Sequence, residues 1–190
     1  MNRSLKLALA VVPFLLSVAC TNPDKLPAET ALTAAEAAAA TFTDEVKKFV
    51  PEQVKAFEDE LAAAKAAVAK QDWKGARAAA EALPGKAAGI VAAAKARKDE
   101  LTKAAEEGVA QLGEKVTALQ ARVAELAKAK KLPAGVTKEV VEKAKTGVAE
   151  LEAAAVKVKE QAATDAAAAA AAAKDLLAKA TELANELKIP

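Results

Sequence analysis

Apolar residues recur along most of this chain with the spacing of a helix face. Val50, Val54, Phe57, Leu61, Ala64 and Val68 alternate steps of four and three. Val109, Leu112, Val116, Leu119, Val123 and Leu126 do the same, as do Val141, Ala144, Val148, Leu151, Ala155 and Val158. Leu176, Ala180, Leu183 and Leu187 continue the rhythm towards the end. Such steps put side chains on one stripe of a helix, whereas a strand needs alternation with period two, which no stretch here sustains. The expected fold class is all-α: an antiparallel helical bundle, Ala-rich, or two helical hairpins joined by a middle helix, with about five helices in all.

Punctuation between the seams gives the element boundaries. Thr33-Ala34-Ala35-Glu36 has the pattern of a capping box and predicts a helix start at or just before it. Pro51 suits a first helical turn, and Asp72 is a candidate N-cap in the turn Gln71-Asp72-Trp73. Pro84-Gly85 is expected to interrupt the helix that follows. Gly108 and Gly113 weaken a later stretch and leave open whether 74–107 and 109–130 are one helix. Leu132-Pro133-Ala134-Gly135 predicts a loop, Thr137 the next N-cap, and Gln161 to Asp165 a last turn. Residues 50–98 and 136–187 each offer a seamed helix, a polar turn and an Ala-rich second helix, so two hairpins are expected around a 109–130 helix. Acid-to-base pairs four residues apart, Asp44–Lys48, Asp99–Lys103 and Glu139–Lys143, are expected to support exposed faces.

Composition changes how that core is pictured. The chain has 56 Ala among 190 residues, against 4 Phe, 1 Trp and no Tyr. Ala favours helix but buries little area, so the core is expected to be thin. The Ala166–Ala173 run reads as a close-packing face, with low-complexity drift in an Ala-rich sequence as the other reading. Around the 109–126 seam, the flanking positions Lys115 and Arg122 would meet only Gln120 and Ala127 in a parallel dimer. With no acidic partner for either cation, packing within one chain, as a monomer, is expected. Trp73, at a turn, is expected to pack on a neighbouring helix; contact with a ligand or a membrane is the other reading.

Chemistry is restricted by what is missing from the residue set. There is no His and a single Cys, which excludes Ser-His-Asp and Cys-His catalysis, His-ligated metal and a disulfide within the chain. Glu58 and Asp59, or Glu106 and Glu107, are adjacent and point in different directions on a helix. No catalytic residue, metal ligand or cofactor is expected.

The start of the chain carries the specific signal. Arg3 and Lys6 precede an apolar run from Leu7 to Val18, broken by Pro13 and Ser17 and followed by Ala19 and Cys20. A basic start, an apolar run of about a dozen residues and small residues at its end describe a secretory signal. The ending Leu16-Ser17-Val18-Ala19-Cys20 resembles the lipobox of bacterial lipoproteins, with Ser17 where that family most often has Leu. The resemblance implies cleavage between Ala19 and Cys20, and lipidation of the Cys20 thiol by a diacylglycerol. Thr21, where an Asp would imply inner-membrane retention, implies the outer membrane at its periplasmic face, with the inner membrane and the cell surface as the other placements. Residues 1–19 carry Arg3 and Lys6 and no acid, so 26 basic and 26 acidic side chains remain after cleavage. That balance favours no nucleic-acid partner.

The domain organisation expected is therefore a signal peptide at 1–19, a flexible tether at 20–28 and an Ala-rich helical domain at 29–190. The segment QDWKGARAAAEAL, residues 71–83, resembles hairpins of uncharacterised proteobacterial helical lipoproteins, which implies no activity. The expected function is that of a lipid-anchored envelope protein with a structural or partner-binding role, held to the membrane by its N-terminal lipid and contacting an envelope protein. The alternative is a helical carrier of a lipid or other apolar ligand, which needs a wide stripe of large residues around a cavity. The seams here are narrow and rich in Ala and Val.

Overall fold

A computed structural model describes residues 22–189. Seven helices and no strand occur among them: α1 (Lys25–Ala39), α2 (Asp44–Phe49), α3 (Pro51–Ala69), α4 (Trp73–Glu81), α5 (Leu83–Lys128), α6 (Lys138–Thr164) and α7 (Ala166–Glu186). The class is the all-α bundle that the periodicity predicts. Its middle element answers what the sequence left open. The stretches 74–107 and 109–130 do not meet as two helices at Gly108; α5 runs unbroken through Gly108 and Gly113 for 46 residues, which is about 69 Å of helix.

α5 is the shared spine of two lobes. Its first part packs with α1–α4 around Phe57, Leu83, Ala87 and Ile90. Its second part packs with α6 and α7 around Leu112, Leu119, Leu151 and Leu187, continued by a cluster of Ala105, Val109, Val158, Ala169 and Ala173. All six residues of the 109–126 seam are buried in this second lobe, so the seam is occupied within the chain. α6 runs antiparallel to α5, and α7 returns parallel to it: Gln120 bonds Glu152, while Arg122 bonds the Leu187 carbonyl.

Local chemistry explains most boundaries. Thr137 Oγ1 accepts the Val140 N–H and Asp72 Oδ1 accepts the Gly75 N–H, so both expected N-caps form. Pro51 opens α3 and keeps Val50 out of the helical region, at φ −138° and ψ 52°, which ends α2. Pro84 stands in the first turn of α5 and has no N–H to continue α4, so the two helices part at Ala82. α6 and α7 part at Asp165, whose carboxylate caps the Ala168 N–H.

Several expectations are corrected. Thr33 does not begin a helix: α1 starts at Lys25, and Thr33 Oγ1 donates back to the Glu29 carbonyl inside it. Of the expected 20–28 tether, Lys25–Ala28 are helical and Asn22–Asp24 form a turn. Cys20 and Thr21, like the 1–19 signal segment, lie outside the described residues. α2 is an additional short helix, capped by Thr43. The expected repeat does not give two equal hairpins, because α3 is followed by the nine-residue α4, whereas α6 is followed by the 21-residue α7. The pairs Asp44–Lys48, Asp99–Lys103 and Glu139–Lys143 are not formed. Lys48 reaches Asp165 at the α6–α7 junction at 2.8 Å and Lys143 reaches Glu186 on α7 at 2.8 Å, while Lys103 approaches Glu107. A long cation can reach across a groove as easily as along its own helix, so sequence spacing alone does not select its partner.

Lys48–Asp165 joins the lobes. α2 belongs to the first and Asp165 sits at the α6–α7 junction of the second. The Lys48 ammonium beside it, together with the Ala168 N–H, holds the Asp165 carboxyl below the usual carboxylate value.

Candidate functional site

The described residues begin with a tight turn. The Asn22 side chain accepts the Asp24 N–H at 3.0 Å, and the Asn22 carbonyl accepts the Lys25 N–H at 2.9 Å. Pro23 supplies the fixed φ of the second turn position. α1 therefore starts five residues after Cys20, and the sequence signal for it was the dipeptide Asn22-Pro23 rather than the Thr33 box.

The start of α1 lies beside the start of α4. The Lys25 ammonium stands over the Trp73 ring, 5.6 Å from its centroid. Trp73 is half-buried at the first position of α4, directly after the Asp72 cap. A Cβ at Gly75 would collide with the Asp72 carboxylate, so glycine lets the cap close. The α3–α4 turn is a Schellman motif: the Asp72 N–H reaches the Ala67 carbonyl and the Gln71 N–H reaches that of Val68, with Gln71 at φ 61°. Leu26, the residue after Lys25 in α1, is 72% exposed. Trp73 thus stands half-buried at a helix start with the Lys25 ammonium over its ring.

Grooves run between helices on the outside of both lobes. One of about 480 Å³ lies between α1 and α4, with Leu26 and Pro27 at one end. One of about 530 Å³ lies between α6 and α7, lined in part by Leu151, Leu176 and Leu183. Its rim carries the Lys143–Glu186 pair. Inside the lobes, Phe57, Leu83, Leu112, Leu119 and Leu187 are fully buried and fill the space between helices. No buried side chain among the described residues is polar or charged.

The residues that the lipobox resemblance singles out, Ala19 for cleavage and Cys20 for cleavage and lipidation, lie outside the described residues. What the structure adds is the neighbourhood they lead into: Lys25, Leu26 and Trp73, brought together from two helices. No periodicity links residue 25 to residue 73, so this grouping was not visible along the chain. Comparison with family models, with curated proteins and with solved structures finds no match.

Proposed function

We propose that the mature chain is a lipid-anchored protein of the bacterial envelope, held to the periplasmic face of the outer membrane through Cys20, with a structural or partner-binding role and no catalytic chemistry. The observation that carries this reading is the single cysteine, Cys20, placed behind a basic start and an apolar run with Ala19 before it. Acyl chains on Cys20 hold a protein firmly when two or more are present. The partner-binding role, with the chain acting as a monomer, rests on the mixed Lys and Glu surface of the helices and on interiors already filled by the chain's own leucines.

Metabolic labelling with palmitate tests the anchor. Wild-type protein is expected to take up label and Cys20→Ala is not. Unlabelled wild type, or processing indifferent to Cys20, would sink the anchor. Crosslinking in cells tests the role and is expected to capture one specific envelope protein. A stoichiometric lipid, extracted into organic solvent from the form lacking the anchor and seen by mass spectrometry, would instead favour the carrier.

A further inference from the structure

We propose that the end of the molecule formed by the start of α1 and the α3–α4 turn is a bilayer-contact surface, with Trp73 and Leu26 seated at the boundary between headgroups and acyl chains. This rests on the anchor reading of Cys20. Four residues lie between Cys20 and Lys25, so the five Cα steps from one to the other span at most about 18 Å. An acylated Cys20 lies at the headgroup level, so the start of α1 is the part of the described fold held nearest the membrane, within that reach.

That end carries residues suited to the position. Leu26 is one of two large apolar side chains described as well exposed, the other being Val156. Trp73 has an apolar ring and an N–H that suit the interface between hydrocarbon and water. The ammonium of Lys25 over the ring can turn to a lipid phosphate while its stem covers the indole. Lys70 and Lys74, both exposed, flank the turn. Asp72 lies among them with its carboxylate engaged by the Gly75 N–H.

The size of the patch selects a bilayer over a protein. A stable protein interface buries about 1,600 Å², and one Leu with one half-buried Trp falls far short of that. Beside a lipid anchor the contact need not hold the protein; it only has to orient it, since the tether supplies a high local concentration. The far end of α5 and the 129–137 loop then point away from the membrane.

Trp73 is the only tryptophan in the chain, so its emission reports this surface directly. The mature acylated protein is reconstituted into vesicles of phosphatidylethanolamine and phosphatidylglycerol containing phosphatidylcholine brominated on its acyl chains. The expected result is a blue shift and loss of roughly half the emission relative to unbrominated vesicles, because bromine quenches an indole seated at the acyl boundary. Leu26→Ser is expected to weaken the quenching without releasing protein from floated vesicles. A second protein carrying Trp73→Phe and Ala134→Trp, which moves the reporter to the far loop, is expected to stay unquenched. Protein that floats with the vesicles but shows unquenched Trp73 overturns the contact and leaves the anchor standing. Equal quenching of both reporters overturns the end-on orientation. Wild type that does not float overturns the anchor, and this proposal with it.

Discussion

The two lobes hang on the same helix and fill their interiors by opposite means. The first contains Phe42, Phe49 and Phe57, with the rings of Phe42 and Phe57 edge to face at 4.9 Å and 79°. Its helices beside α5 are short, 6 to 19 residues, and large side chains fill the gaps where they cross. The second lobe has no aromatic residue. There α6 and α7 are 27 and 21 residues long, and the backbones come close instead. A Cβ added at Gly108 of α5 would lie 2.8 Å from the Ala173 Cβ of α7, and Ala169 and Ala173 are buried in the same seam. An apolar interior can thus be closed with large groups or with short distances. The first solution should be sensitive to truncation and the second to enlargement.

Phe57→Ala should have the largest effect. Phe57 is 2% exposed at the centre of the first lobe, and removing a buried ring of this kind costs about 3–5 kcal/mol. Trp73 belongs to the same lobe, while far-ultraviolet circular dichroism reads all helices. In Phe57→Ala the Trp73 fluorescence transition is expected to move below the circular dichroism transition on heating. Coincident transitions would show that α5 couples the lobes into one cooperative unit.

Gly108→Val reverses the order. The new side chain must push α7 from α5, with an overpacking cost of about 1–3 kcal/mol. Helix content should fall first and Trp73 emission last. Gly113 supplies the control on the same helix, because nothing lies within 4 Å of a Cβ built there. Gly113→Ala is expected to stabilise by about 0.5–1 kcal/mol through helix propensity, read as a rise in the denaturant midpoint.

The link between the lobes has a pH signature. The carboxyl of Asp165 is held down by Lys48 first and by the Ala168 N–H next. A depressed folded value means that its stabilisation is complete above the ordinary value of 3.8 and is lost as pH falls below that, through the lower folded value. Asn at this position still caps a helix but cannot pair with Lys48. Asp165→Asn should therefore be less stable than wild type near neutrality, and the gap should close as pH drops below 3.8. A gap constant with pH would mean that the ion pair contributes nothing. The effect should be smaller than those of the core substitutions, since both side chains are in contact with water.

These differences were only partly legible along the chain. The seams were, because Val and Leu at helical spacing have few other places to go; every residue of 109–126 in that pattern is buried. The caps at Asp72 and Thr137 were, because a small acceptor before a helical run has one main use. Thr33-Ala34-Ala35-Glu36 misled because a capping pattern and a mid-helix pattern are identical when Thr can bond back to Glu29. The continuity of α5 was hidden by its glycines. Each lowers helix stability by about 1 kcal/mol, too little to stop a helix packed on both sides. Gly108 in particular marks contact with Ala173 and not a break, a meaning that appears only with α7 in place. Lys48–Asp165 and Lys25–Trp73 are tertiary pairs with no trace in spacing. Of the site itself, Ala19 and Cys20 lie outside the described residues, whereas Lys25 and Trp73 came together only in the fold.

The smallest effect expected tests whether each lobe closes its ends at a conformational cost. Both α3 and α7 end in Schellman motifs, and neither uses glycine: Gln71 has φ 61° and Lys188 has φ 55°. A left-handed non-glycine residue carries roughly 1–2 kcal/mol of strain, whereas glycine in its place loses about 0.5–1 kcal/mol more backbone entropy on folding. The difference leaves a net gain of about 0–1.5 kcal/mol for Gln71→Gly. Lys188→Gly should gain less. Its motif closes the last helix, where fraying separates local from global stability, and the Arg122 bond to the Leu187 carbonyl already fixes that turn. Gln71 instead sits between α3 and α4, inside the cooperative first lobe, so its strain acts on the whole transition. Denaturant midpoints of the two variants should both rise, with the larger shift in Gln71→Gly. A larger shift in Lys188→Gly would mean that the second lobe, despite its longer helices, limits the stability of the molecule.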